Sequence, residues 1–255
     1  MIYRAFKMIC LFLPLICWHA SLHAQIEAEP DTLEDLLIYS NERSGVIVAH
    51  SLGFGAGYRT GLNRNAFNTR IISFDFVGVK SPKQLKIINP YFNNAKRYVY
   101  GKLNDVFFLR ASYGYKRLLH RKPYWGGVEI RWLYEAGASV AVQKPYYLFV
   151  RRMIDNNNVV IQTEKYHSGI SIDDIYGRAP FTKGLNETTF VPGLFLRTGI
   201  NTEFGYVKTS LRSLETGIGL DIFPQGVNIM ADDNDQRFFL TFYLNIGFGK
   251  RFNKY

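Results

Sequence analysis

Cysteine is nearly missing from this chain. Cys10 and Cys17 are the only two, and both lie in an N-terminal segment that reads as a cleaved signal peptide, residues 1–24. Arg4 and Lys7 precede an apolar run from Met8 to Trp18, and Leu22-His23-Ala24 puts a small residue before Gln25. Neither cysteine follows the small residue of a lipoprotein cleavage site, since Ile9 and Ile16 stand there. The mature chain therefore has no cysteine, which excludes disulfides, thiolate metal sites and cysteine nucleophiles. Long apolar runs are lacking too. The Met8–Trp18 run is too short for a membrane helix, and nothing downstream approaches the ~18 consecutive apolar residues that one needs. The mature histidines, His50, His120 and His167, show no metal-ligand spacing. Neither a metal nor a cofactor is expected.

Acidic residues are the scarcer sign of charge. The chain has 31 basic and 21 acidic residues, which becomes 29 against 21 once Arg4 and Lys7 are removed. A basic balance ordinarily suggests nucleic acid. Export redirects that reading to outer-membrane lipid, lipopolysaccharide, peptidoglycan or an acidic periplasmic protein, with no nucleic acid.

What the sequence has in abundance is alternation. Phe238, Leu240, Phe242, Leu244, Ile246 and Phe248 alternate with Phe239, Thr241, Tyr243, Asn245, Gly247 and Gly249. Val128 to Val142 repeats the pattern, with Ile130, Trp132 and Tyr134 opposed by Glu129, Arg131 and Glu135. Side chains alternate faces along a strand, and runs of this length suit a tilted bilayer crossing of about 9–11 residues. The fold expected is an all-β antiparallel transmembrane barrel of eight strands, or of ten if a hairpin near Asn157 joins the wall. A secreted β-sandwich is the soluble competitor. It does not call for the glycines that punctuate the charged face, whereas a narrow barrel interior does.

The expected organisation is a signal peptide at 1–24, an acidic periplasmic leader at 25–43 and a barrel at 44–255. Strands are placed at 45–59, 69–79, 105–119, 128–143, from about Tyr146, at 192–206, at 211–223 and at the C-terminus. With both termini periplasmic, 61–68, 121–126, the large loop 153–190 and 224–236 become extracellular. The stretch 80–104 becomes a long periplasmic connection.

The inward phase carries Asp75, Glu129, Glu135, Glu203, Glu215 and Asp221 with Arg110, Lys116, Arg131, Arg197 and Arg251. Opposed charges in so narrow a space pair, because an unpaired buried charge is costly. In an eight-stranded barrel they fill the interior. The expected function is a non-enzymatic barrel with a charged, plugged lumen, a structural or accessory part of an envelope complex. A small-solute pore and an outer-membrane lipid-modifying hydrolase are the alternatives. For the hydrolase the bases to test are His50 and His167, although His50 shares a phase with Val48 and Leu52 and reads as interfacial. Arg117, His120, Arg121 and Lys122, beside Tyr124 and Trp125, form a basic cluster suited to lipopolysaccharide phosphates. Asp232, Asp233 and Asp235 lack the glycine and distal glutamate of a calcium loop.

The segment from Phe248 to Tyr255, closing on an aromatic, together with the signal peptide and the alternating strands, resembles outer-membrane barrel proteins of the Bacteroidota. So does the run Asn89-Pro90-Tyr91 through Tyr98-Val99-Tyr100-Gly101-Lys102, and Asp31-Thr32-Leu33 resembles the short O-glycosylation acceptor of that group. The resemblance implies membership and the barrel fold. It brings no catalytic residue.

One electrostatic expectation completes the reading. Lys80, Lys83, Lys86, Lys96, Arg97 and Lys102 stand in 80–104 without an acid, while Glu27, Glu29, Asp31, Glu34, Asp35 and Glu42 populate the leader. The basic stretch is expected to contact a periplasmic partner or peptidoglycan, or to dock the leader, with complementary charge steering the encounter.

Overall fold

The computed structural model describes residues 39–253, apart from 66, 122–126, 156–157, 206, 208 and 232–234. The signal peptide, residues 25–38 with the Asp31-Thr32-Leu33 motif, Lys122, Asp232, Asp233 and Tyr255 lie outside the described residues. In chain order the strands are β1 Asn41–His50, β2 Gly53–Asn63, β3 Asn68–Val79, β4 Lys86–Ile87, β5 Tyr98–Val99, β6 Asn104–His120, β7 Glu129–Pro145, β8 Tyr147–Asp155, β9 Asn158–Lys165, β10 Ile175–Arg178, β11 Thr189–Phe204, β12 Ser210–Val227 and β13 Gln236–Phe252. Eight of them close into one antiparallel barrel in the order β1-β13-β12-β11-β7-β6-β3-β2.

The wall follows from the alternation. Along β13, Phe238 is 63% exposed on the outside and its neighbour Phe239 is 1% exposed on the inside. Apolar residues including Ile47, Phe54, Phe74, Leu109, Leu196, Ile218 and Leu244 cover the outer surface. A closed barrel leaves no unpaired wall edge, which is the condition for crossing hydrocarbon with strands. The seam is made by β1 on β13, in register from Asn41↔Phe252 to His50↔Tyr243.

The count of eight strands holds, but two elements differ from expectation in opposite directions. The stretch 45–59 is two strands, β1 and β2, joined by a tight turn at Ser51-Leu52. The turn is tied by Ser51 N donating to Phe242 O at 2.9 Å and Lys80 N to Leu52 O at 2.8 Å. Gly53 permits it: φ is +158°, and a Cβ there would lie 2.1 Å from the Gly78 carbonyl oxygen. The strand begun near Tyr146 conversely leaves the wall. As β8 it joins β9 and β10 in a separate sheet ordered β10-β8-β9, so β8 and β9 are no part of the barrel and the ten-stranded alternative falls.

The extra turn reverses the ends. The described chain starts and finishes at one end of the barrel, the terminal end, where β2 also gives way to β3, β6 to β7 and β11 to β12. At the opposite loop end lie 51–52, 80–103 and the described residues of 146–188 and 228–235. The stretch 80–104 thus sits with the large loop and not beside the start of β1; residues 25–38 of the leader it was expected to dock lie outside the described residues. Arg117, His120 and Arg121 stand at the terminal end and not at the rim with the large loop. Glu42 and Arg43 belong to β1 and not to a leader.

The loop-end segments build a folded cap. Tyr98, Tyr146, Leu148, Val150, Tyr166, Ile170 and Ile175 form its apolar cluster. The buried Asn89 amide donates to the carbonyls of Ile172, Asp173 and Ile175 at 2.9–3.0 Å. The 80–103 segment is joined to β10 as well, through Lys96 N to Tyr176 O at 3.2 Å.

Candidate functional site

The strand registers set the inward side chains in tiers. Nearest the terminal end, Lys116 Nζ donates to Glu42 Oε1 at 2.9 Å, and Arg251 Nη2 to Glu203 Oε2 at 2.6 Å. Arg131 pairs with Glu129 and donates to Thr69 Oγ1 at 2.9 Å. In the middle tier Arg59 holds Glu215 through two bonds, at 2.5 and 3.1 Å. The Asn201 and Asn245 amides each donate to the same carboxylate at 3.2 Å. Arg197 donates to Asp75 Oδ2 at 2.7 Å and pairs with Glu135, which also accepts from Ser73 at 2.8 Å and Ser112 at 2.9 Å. Above these, Arg110 grips Asp221 bidentately at 3.0 and 2.6 Å, with its guanidinium 4.6 Å from the Phe195 ring centre.

All eleven charges assigned to the interior from the sequence therefore face inward and pair there. Glu42, Arg59 and His50 are additions. Arg59 shares its phase with Gly53, Gly55 and Gly57, so the glycine run was the signal that could have placed it inside. Glu42 was hidden by its neighbours in the acidic leader. His50 is buried inside the wall, not interfacial, because the 51–52 turn reverses which phase faces in.

Glycines make the room. A Cβ on Gly57 would lie 2.0 Å from Asp75 Oδ1, and one on Gly217 would lie 2.2 Å from the Thr198 carbonyl oxygen and 2.8 Å from the Tyr243 hydroxyl. Neighbouring backbone and bulky polar side chains approach this closely only where no Cβ intrudes.

The tier nearest the loop end is apolar, which the sequence reading did not single out. Phe108, Phe223 and Phe239 meet with ring centres 4.8–5.9 Å apart. Val48, Val77, Val79, Val106, Ala141 and Val191 pack in the same cluster. Edge-to-face contacts of this kind add to the burial itself.

Of the six basic residues of 80–104, Lys80, Lys83, Lys86, Lys96 and Arg97 are exposed on the loop end and Lys102 is buried. Lys80 lies 5.5 Å from the Phe54 ring centre and Lys96 5.9 Å from that of Phe149. Lys102 pairs with Asp105 at 2.7 Å, and the same carboxylate meets Arg178 at 2.7 Å and Lys144 at 3.8 Å. Burial, opposed by Asp105, holds the Lys102 ammonium below its ordinary pKa. This cluster ties the 80–103 segment and β10 to the barrel mouth.

His50 and His167 each accept a bond from their own turn, Leu52 N to His50 Nδ1 at 3.2 Å and Gly169 N to His167 Nδ1 at 3.2 Å. Among the described residues no group of three or more His, Cys, Asp or Glu side chains is placed to hold a metal.

No protein-family description matches the sequence, and no curated protein matches it. Among solved structures, Neisserial surface protein A is 10% identical with a TM-score of 0.40, over 83% of this chain and 96% of that one. The N-terminal β-barrel domain of Pseudomonas aeruginosa OprF is 8% identical with a TM-score of 0.32, over 82% and 96%. The attachment invasion locus protein Ail of Yersinia pestis, solved with the heparin analogue sucrose octasulfate, is 11% identical with a TM-score of 0.35, over 84% and 97%. The closed antiparallel wall, its apolar outer belt and its polar interior make this chain an eight-stranded transmembrane β-barrel of the outer-membrane type.

Proposed function

We propose that the protein is a closed, non-enzymatic outer-membrane anchor that carries a folded cap and serves as a structural or accessory part of an envelope complex. The observation that carries this reading is the filled interior. Three tiers of charge pairs and one of aromatic rings occupy successive heights between opposite walls, as in Arg110 of β6 reaching Asp221 of β12. Seven inward acids, Glu42, Asp75, Glu129, Glu135, Glu203, Glu215 and Asp221, nearly balance six bases, Arg59, Arg110, Lys116, Arg131, Arg197 and Arg251, so no excess of one sign favours a selective ion path. Longer connections lie outside the cell in barrels of this class, which makes the loop end extracellular. The two expected basic contacts then exchange sides: Lys80, Lys86, Lys96 and Arg97 face the lipopolysaccharide leaflet, and Arg117, His120 and Arg121 face the periplasm.

The test is conductance. Purified mature protein in planar bilayers is expected to give no steady single-channel steps, and large reproducible steps would return the pore to first place. The hydrolase is checked separately by mass spectrometry of lipid incubated with the protein, where turnover lost on His50→Ala or His167→Ala would reverse the reading. The Bacteroidota assignment is supported by the motif resemblance alone.

A further inference from the structure

Charge is sorted by face at the terminal end. Among the described residues its acids Glu42, Glu129 and Glu203 point inward, paired with Lys116, Arg131 and Arg251. The outward positions of the same end hold Arg43, Arg64, Arg70, Arg117, Arg212 and Lys250. Among the described residues no carboxylate pairs with any of these six, whereas at the loop end Arg152, Arg151 and Arg178 meet Glu164, Asp174 and Asp105 at 2.7, 3.2 and 2.7 Å.

The cations are densest at the seam. The registers Thr60↔Arg43, Arg43↔Lys250 and Lys250↔Ser210 lay one outward row across β2, β1, β13 and β12, with two cations flanked by two hydroxyls. Arg212, opposite Phe248, is the diagonal neighbour of Lys250. Like charges directly opposite each other destabilise an antiparallel pair, and an anion on this row would relieve that repulsion. The adjoining row toward the middle of the barrel reads Tyr58, Gly45, Phe248 and Arg212. A Cβ built on Gly45 would meet nothing within 4 Å, which leaves an open notch between Tyr58 and Phe248 directly beside the cations. Arg43 also lies 5.1 Å from the Phe252 ring centre.

We infer that the β2-β1-β13-β12 seam is a binding site for one anionic glycerophospholipid of the leaflet at the terminal end. Its phosphodiester sits on Arg43 and Lys250, within reach of Arg212, and an acyl chain runs over Gly45. The combination selects the occupant: the anion is favoured by cations that no described carboxylate neutralises, and the apolar tail by a row that faces hydrocarbon between aromatic rings. A soluble anion lacks the tail and a zwitterionic lipid lacks the net charge. The site is on the outer surface and does not depend on whether the interior conducts.

The experiment is native mass spectrometry of the mature chain released from mild detergent after exposure to phosphatidylglycerol, phosphatidylcholine or lipid A. Wild type is expected to retain phosphatidylglycerol in preference to the other two. Arg43→Gln and Lys250→Gln should each lower that retention by roughly fivefold, the effect of one basic side chain near an anionic surface, and the double variant by more. Gly45→Phe should lower it with every charge in place. Boiled and unboiled gel migration matching wild type identifies the variants as folded barrels. Equal retention of phosphatidylglycerol and phosphatidylcholine by wild type, retention of lipid A alone, or unchanged retention in folded double and Gly45→Phe variants would each overturn the site.

Discussion

The two halves of the barrel interior are filled by opposite chemistry. Toward the terminal end the space between the walls is occupied by guanidinium, ammonium and carboxylate groups; toward the loop end it is occupied by Phe108, Phe223, Phe239 and the valines around them. The two fillings respond to damage differently. Aromatic packing loses a contact when a ring is shortened. When one member of a buried charge pair goes, the other is left in a low dielectric without a partner, a penalty that removing the second member relieves.

That difference gives the largest predicted effects. Arg110→Met or Asp221→Leu alone should each cost about 3–5 kcal/mol, and the double variant should be milder than either. Phe223→Ala and Phe239→Ala should cost a similar ~3–5 kcal/mol each, but here the double variant should be worse than either single change. Urea unfolding in lipid vesicles, followed by the heat-dependent gel shift, reads both cycles. A charged half whose double variant is additive would break the comparison.

A smaller effect contrasts inside with outside at one height. Leu244→Arg puts a charge into hydrocarbon and should cost about 2–4 kcal/mol. Alternation alone makes Asn245→Arg appear the gentler change, since Asn245 faces in. The structure revises that expectation: Asn245 is 1% exposed and donates to Glu215, so an arginine there must displace a formed network. Assembly of the two variants, scored by the same gel shift, should be impaired in both.

Smaller again is Gly217→Ala, whose new Cβ would press on the Thr198 carbonyl oxygen at 2.2 Å. Overpacking of this kind costs about 1–3 kcal/mol, and an unfolding midpoint equal to wild type would mean that the wall yields there freely. The least global change is Asp105→Asn. It should leave the barrel heat-modifiable while making residues 80–103 more readily cut by protease, because Asp105 joins Lys102, Lys144 and Arg178.

Facing was legible in the sequence because period two is a strong signal, and it placed Asp75, Arg110, Glu135 and Arg197 on one face before any register was known. Height and handoff between strands were not. His50-Ser51-Leu52-Gly53 has none of the paired Asn-Gly or Asp-Gly chemistry that marks a two-residue hairpin, so alternation was read straight through it. The residues on either side kept their even-numbered apolar pattern while the face reversed. Tyr147 to Arg152 alternate as a wall strand does, yet they pack into the cap, since alternation reports a half-buried sheet and not which sheet. The apolar tier required knowing that Phe108, Phe223 and Phe239 come to the same level, which only the registers supply.

The β1–β13 seam has a kinetic consequence. Ser40 N donates to Asn253 Oδ1 at 2.8 Å across 213 residues of chain, so the wall closes through the contact most remote in sequence. Loop-closure entropy makes such contacts late. Until β13 arrives, β1 presents an open edge, the template on which chains aggregate. Assembly therefore ends with a first-to-last handshake, and a chain truncated before Gln236 would present every earlier strand and still have no way to become a closed body in the membrane.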